Sequence, residues 1–168
     1  PAFVDSHSHL VYAGTREQEF NLRLKGASYE EIAAAGGGIL NSAGRVAATT
    51  QDEMQRQSAL RLNRLIANGT GTLEVKSGYG LDPENELKML RTIKALNEAS
   101  NATLVPTFLA AHALPSWAKT KGMNDATYTE YMLDACLPTI KAEGLAQFLD
   151  GFIERDYFKL TALEHLIE

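Results

Sequence analysis

Asp5-Ser6-His7-Ser8-His9 sets two imidazoles two residues apart near the start of the chain. In an extended segment residues i and i+2 share a side, about 7 Å apart, so both rings can converge on one ion. Zinc accepts imidazole nitrogen and, in catalytic sites, keeps one position for water. Asp5 can orient a ring or cap the turn. The bare pattern reads equally as a loop carrying two solvated histidines. A second group is Glu74-Val75-Lys76-Ser77-Gly78-Tyr79-Gly80, whose glycines let the backbone turn tightly while Tyr79 projects over the strand ends. Its alternative is an ordinary turn with a packing tyrosine. Lys76 reads as an ion-pair partner of Glu74 or Glu154 in preference to a carbamylated metal bridge. A third group, Ala110-Ala111-His112-Ala113-Leu114-Pro115, centres on His112, a catalytic candidate or a satisfied packing residue among alanines. Glu154 and Arg155 form a fourth, also readable as a solvated pair. His165 falls inside an expected helix and reads as surface. Cys136 has no basic neighbour in sequence to lower its thiol pKa, which argues against a nucleophile.

Each of the four groups follows a short run of nearly continuous apolar residues: Ala2–Val4, Thr72–Val75, Thr103–Leu109 and Phe148–Ile153. Continuous rather than alternating apolar character is expected of strands buried on both faces. Helical patterns separate the runs. Thr50 and Glu53 make a capping box for Gln51–Asn68, with Gly69 just past its end and an apolar stripe of Ala59, Leu62 and Ile66. Asp82 then Pro83 opens a helix to about Ala99, with Leu87, Leu90 and Ile93 on its buried side. A third helix from Asp125 to Gly144 is expected to kink or break near Pro138. Thr161 and Glu164 form a further capping box, with Leu163, Leu166 and Ile167 behind it.

Strand and helix alternating four times is the signature of parallel βαβ units. The fold class predicted is therefore α/β, with parallel βα units forming about half of a (β/α)8 barrel, a fold that takes about 250 residues. A flavodoxin-like sheet is the alternative, but it wants a fifth strand and a phosphate-type loop. In a parallel barrel the C-terminal strand ends carry the active site, and all four groups stand there. Between the first strand and the first long helix lies an excursion, Val11–Thr49, with one short helix expected at Tyr29–Ala35 and a run of three glycines at Gly36-Gly37-Gly38. A long loop at the end that carries the chemistry is expected to be functional.

The 168 residues carry 16 basic and 21 acidic side chains, a net charge of −5. With no basic stripe, nucleic-acid binding is not expected. Apolar residues make up 45%, enough to bury a core. The most hydrophobic stretch, Leu104–Leu114, is interrupted by Pro106, Thr107 and His112 and is too short for a membrane span. No secretory signal pattern opens the chain, and a single cysteine fits a reducing cytoplasm. The opening Pro1, leading straight into an apolar run, reads as the start of a piece cut from a longer protein. The outer strands, Ala2–Val4 and Phe148–Ile153, would then be open sheet edges. Open edges favour self-association, most simply a two-fold dimer that closes eight strands.

Several segments together resemble the imidazolonepropionase family of the metal-dependent amidohydrolase superfamily. They are Pro1-Ala2-Phe3-Val4-Asp5-Ser6-His7-Ser8-His9-Leu10, Gly26-Ala27-Ser28-Tyr29-Glu30-Glu31-Ile32, Gly36-Gly37-Gly38-Ile39, Lys76-Ser77-Gly78-Tyr79-Gly80-Leu81 and Thr107-Phe108-Leu109-Ala110-Ala111-His112-Ala113. The DxHxH element marks the superfamily, and the glycine-tyrosine segments are specific to this branch. The resemblance runs along essentially the whole chain and implies a partial amidohydrolase domain over 1–168, truncated at both ends. It implies that His7 and His9 hold a divalent metal, zinc or iron, one ion per site. Arg16, Tyr29, Tyr79 and His112 would contact substrate, with His112 catalytic. The implied reaction opens the ring of 4-imidazolone-5-propanoate with water, giving N-formimidoyl-L-glutamate in histidine degradation. A small-molecule substrate, no membrane and a homo-oligomer complete the expected partners. The family's further ligands, a histidine and an aspartate, and its acid/base glutamate come from later strands, so this chain alone is expected to be inactive. Another cyclic amidohydrolase or deaminase of the superfamily, or a non-catalytic half-barrel that pairs with itself, are the alternatives. Arg16 with Tyr29 discriminates among substrates, because a guanidinium there implies an anionic tail.

Overall fold

Four parallel strands lie side by side in sequence order, joined by right-sized helical crossovers. The structure, a computed structural model, describes residues 1–28, 31, 37–154 and 158–167. Strands β1 (Phe3–Ser8), β2 (Thr70–Lys76), β3 (Thr103–Ala111) and β4 (Phe148–Gly151) form one curled sheet. The register pairs Val4 with Thr72, Leu73 with Leu104 and Thr107 with Phe148. The helices are α1 (Glu17–Leu24), α2 (Ile39–Ala48), α3 (Gln51–Ala67), α4 (Pro83–Ala99), α5 (Ser116–Thr120), α6 (Asp125–Glu143) and α7 (Leu160–Ile167). This is an α/β half-barrel, as expected.

Alternation divides each strand between two faces. Leu73, Val75, Leu104 and Phe108 are buried against the helical layer, where Met89, Leu90 and Ile93 of α4 and Met132 and Cys136 of α6 meet them. The concave face is polar, carrying Glu74, Lys76 and Asp150. Lys76 Nζ donates to Glu74 Oε1 and to Asp150 Oδ2, both at 2.7 Å, which ties β2 to β4 across the intervening strand.

Most caps are where the residues place them. Glu53 N–H donates to Thr50 Oγ1 (3.3 Å), Asn85 N–H to Asp82 Oδ1 (2.9 Å), and Gly144 closes α6 in the left-handed region. Five expectations need correction. First, β1 does not stop at Val4. After a register shift beyond Asp5, Ser8 pairs with Val75 and its hydroxyl donates to the Glu74 carbonyl (2.7 Å), so the His7 segment is strand, not loop. Second, β4 ends at Gly151, where a register shift turns the chain away; Ile153 makes only an isolated bridge to Phe158. Third, α6 runs unbroken through Pro138, because Leu133, Cys136 and Ile140 bury its turns on both sides of the missing hydrogen bond. Fourth, α3 turns Met54, Ser58 and Leu62 inward, leaving Ile66 36% exposed. Fifth, α7 begins at Leu160, so Thr161 lies in its first turn.

The excursion differs too. It holds two helices that the sequence reading does not place, α1 and α2, while the helix expected at Tyr29–Ala35 lies outside the described residues apart from Glu31. Arg61 of α3 fastens its start. The guanidinium donates to the carbonyls of Leu10 (3.0 Å) and Tyr12 (2.6 Å) and sits 3.7 Å from the Tyr12 ring centroid. Among the described residues, no helix is long and apolar enough to cross a membrane.

Candidate active site

The parallel ladder fixes where chemistry can collect. Each strand delivers its last residues to the same end of the sheet, and backbone groups beyond the last ladder bond are free to face a ligand. His9 leaves β1, Tyr79 follows β2 and His112 follows β3. The three rings meet there: His9 and Tyr79 have centroids 5.0 Å apart, His9 and His112 5.3 Å, and Tyr79 and His112 5.4 Å. The His9 and His112 rings are nearly parallel, at 8°. His7 joins from the strand itself, its ring 5.8 Å from that of His9 and edge-on to it. Three groups separate in sequence thus converge on one face, which the solvated-loop reading of the HxH does not provide for.

Burial, helped by His112, His7 and the Lys76 ammonium, pushes His9 down to about 4, so the ring is neutral at physiological pH. Its Nδ1 is buried and has no hydrogen-bond partner among the described atoms. An unmet buried ring nitrogen is a polar group that a ligand can satisfy. Asp5 does not orient either ring here; its Oδ1 accepts the His7 backbone N–H (3.2 Å).

His112 is held differently. Its Nδ1 donates to the Gly78 carbonyl at 2.7 Å, which fixes the tautomer with the proton on Nδ1. Burial lowers its pKa against the opposing pull of that carbonyl. The neutral ring therefore presents Nε2 as an acceptor. Tyr79 is shifted upward by burial, despite the nearby Arg16 charge, and remains a phenol donor.

Beside these rings opens a cleft of about 290 Å³, lined by His9, Tyr79, Tyr12, Arg16, Ser42 and Arg45 among others. Arg16 Nε donates to Ser42 Oγ (3.0 Å), and its Nη1 lies 3.7 Å from Glu19 Oε2. Arg45 Nη1 donates to the Thr15 carbonyl (2.8 Å). Arg45 stands three residues after Ser42, on the same face of α2, a helix that no capping or stripe signal marks in the sequence. Of the other candidates, Tyr29 and Arg155 lie outside the described residues, as does the side chain of His165. Cys136 is buried beneath α4, its thiol pushed up to about 12 by burial, and is no nucleophile.

Two imidazoles by themselves do not complete a metal-binding set. Among the described residues no group of three or more His, Cys, Asp or Glu side chains is placed to hold an ion. The donor chemistry fits zinc or iron, and the orphaned His9 nitrogen fits it as well, so His7 and His9 fit as contributors that need partners from elsewhere.

No protein-family model matches the chain. Curated relatives do. It is 48% identical over 168 residues to an imidazolonepropionase of Flavobacterium psychrophilum, covering 100% of this chain and 40% of that protein. It is 47% identical to an imidazolonepropionase of Christiangramia forsetii, with 99% and 40% covered. To one of Brucella anthropi it is 48% identical over 154 residues, 92% of this chain and 37% of the relative. The chain thus spans about two fifths of the length of the curated relatives it matches.

Proposed function

We propose, from the premise that this chain belongs to the imidazolonepropionase family along its whole length, that it supplies one half of the active site of a hydrolase acting on carbon–nitrogen bonds in cyclic amides. The substrate proposed is 4-imidazolone-5-propanoate, opened by water to N-formimidoyl-L-glutamate in histidine degradation. The observation that carries this reading is the convergence of His9, Tyr79 and His112 within about 5 Å of one another beside a cleft with two arginines.

The residues divide the work by chemistry. His7 and His9 would hold a divalent metal, zinc or iron, with ligands from outside this chain. When bound, such a metal supplies Lewis acidity, polarising a carbonyl and lowering the pKa of water. Arg16, lining the cleft, offers a guanidinium fork suited to the propionate carboxylate. Tyr79, a protonated phenol, donates to a polar ring atom. His112, with Nδ1–H spent on Gly78, receives a hydrogen bond or a proton at Nε2. It would donate to a developing oxyanion only after taking up that proton. Tyr29, as in the resemblance, completes the substrate contacts.

The two outer strands support a further element of the proposal. Phe3 is 72% exposed on β1 and Phe148 60% exposed on β4, so apolar side chains stand beside unpaired strand edges. We assign those edges to closure of the barrel, by further strands of the same protein or by a second copy in a homo-oligomer. A free thiol at Cys136 fits a reducing cytoplasm.

The deciding experiment is turnover of 4-imidazolone-5-propanoate by the protein at its relatives' full length, with this chain assayed beside it. Imidazolone consumption by the long form, lost in His7→Ala/His9→Ala together with bound metal, is expected. Tight stoichiometric metal that survives the double substitution removes the ligand assignment. Turnover only of substrates without a carboxylate tail would assign the site to another cyclic amidohydrolase.

A further inference from the structure

The β2–α4 turn, Ser77–Leu81, is built around a carboxylate. Glu86, on the first turns of α4, is 1% exposed, although acidic residues near a helix start ordinarily face water. Its Oε2 accepts the Gly78 N–H (2.8 Å), and its Oε1 accepts the N–H groups of Gly80 (2.7 Å) and Leu81 (2.9 Å). The Ser77 hydroxyl is a fourth partner. No strand ladder reaches these amides, so without Glu86 they would be buried donors with no acceptor.

The turn they form is one that the backbone resists. Leu81 sits at φ 57°, in the left-handed region that costs a side-chain-bearing residue energy, and Gly78 sits at φ 102°. A Cβ on Gly78 would come within 2.8 Å of His112 Nδ1. Only a backbone pressed this closely against the imidazole can offer His112 a carbonyl at 2.7 Å. Gly78 is therefore held at both ends of one residue: its N–H by Glu86, its carbonyl by His112.

We infer that Glu86 is a positioning residue for the active site: by fixing the Gly78 and Gly80 amides it sets the carbonyl that orients His112 and the perch from which Tyr79 faces the cleft. It touches neither substrate nor metal and acts through Gly78. A purely structural carboxylate would stabilise α4 without selecting the His112 tautomer. A positioning carboxylate does both. This role rests on the reading of His112 and Tyr79 as site residues given above.

The test compares Glu86→Gln with Arg91→Met in the protein at its relatives' full length. Gln is the same shape, but its amide nitrogen must face at least one backbone N–H. Arg91 lies on the same helix and pairs with Glu143 of α6 (2.6 Å), well away from the strand ends, so its loss loosens the helix without reaching His112. For Glu86→Gln, kcat is expected to fall about ten- to hundredfold with KM changed much less, the size of effect that misplacing a reacting group produces. Nitrogen-15 NMR of the His112 ring, assigned by its loss in His112→Gln, is expected to show a single Nδ1–H tautomer in the wild type and tautomer averaging in Glu86→Gln. Glu86→Asp, which keeps the charge but draws it back, serves as the second variant and is expected to show the same kcat-selective loss. Should Glu86→Gln or Glu86→Asp fold, match Arg91→Met in kcat and keep the wild-type ring signals, the inference is overturned. Absence of turnover in the wild type would overturn the proposed function instead, leaving the ring signals to decide the role of Glu86.

Discussion

Two walls of one cleft are held by different physics. The Tyr79 wall is the Ser77–Leu81 turn, where a buried carboxylate satisfies three backbone donors and Trp117 Nε1 donates to the Leu81 carbonyl (3.2 Å). The Arg16 wall is the α1 part of the excursion, where α1 buries no residue and is held by exposed or part-buried polar contacts: Arg16 to Glu19 and Ser42, Thr15 to Glu17, the Gly38 N–H to Glu19, and Arg45 to the Thr15 carbonyl. Exposed polar contacts contribute little each, and an eight-residue helix is marginal by itself. Buried contacts of the first kind are expected to open more rarely than exposed ones, which can open locally. The difference teaches that the groups that need fixed orientation stand on the wall that cannot relax. The cation that would meet a substrate's mobile tail stands on the wall that can.

The sharpest way to break this contrast is amide hydrogen exchange. The Gly78, Gly80 and Leu81 amides are expected to exchange at least about a thousandfold more slowly, relative to their intrinsic rates, than those of Phe20–Leu24 in α1. Equal protection would erase the distinction. Next in size, the same substitution can be placed in both regions. At Gly80 a Cβ would run into the backbone of Glu86 and lie 2.6 Å from the Asn85 carbonyl carbon, so Gly80→Ala is expected to destabilise by about 3 kcal/mol, read from denaturant melts.

Arg16→Lys replaces a fork with a point charge on the softer wall. It is expected to lower kcat/KM of the full-length protein about ten- to hundredfold while leaving metal content unchanged, by parallel kinetics and metal analysis. Unchanged kinetics would assign the substrate anion to another group, with Arg45 the nearest alternative in the cleft. Smallest is Gly26→Ala at the end of α1. Nothing lies within 4 Å of a Cβ there, so only the cost of φ 90° remains, about 1 kcal/mol by the same melts. A Gly26→Ala loss as large as that of Gly80→Ala would mean that the excursion is as tightly built as the turn.

Much of the fold was legible because its signals are local. A cap is an interaction between residues three apart, and both Thr50 and Asp82 make theirs. The apolar runs marked four strands, and their order with the helices marked parallel crossovers. The His7–His9 pair, Tyr79 and His112 were legible as candidates because each stands just past, or at the end of, such a run. The ends were less so: β1 extends to Ser8 through pairing with Val75 and a hydroxyl bond to the Glu74 carbonyl, 66 residues on. Pro138 read as a breaker because propensity knows nothing of the core on both sides of it.

By itself, then, the amino-acid sequence determined the alternation of strands with the three long helices, the starts of those helices at Gln51, Pro83 and Asp125, and the end of the sheet at which chemistry collects, all of which depend on neighbours within a few residues. Only the tertiary structure decided which charges face each other. Lys76 meets Asp150 across 74 residues, Arg61 clamps the backbone of Leu10 and Tyr12 from 51 and 49 residues away, and Glu86 turns inward. The Glu86 case had a signal in the sequence, since a turn of Ser77-Gly78-Tyr79-Gly80 leaves amides that must find an acceptor. Which acceptor they find depends on the angle at which α4 leaves the sheet, and that angle is set by packing of Met89, Leu90 and Ile93 rather than by any local preference.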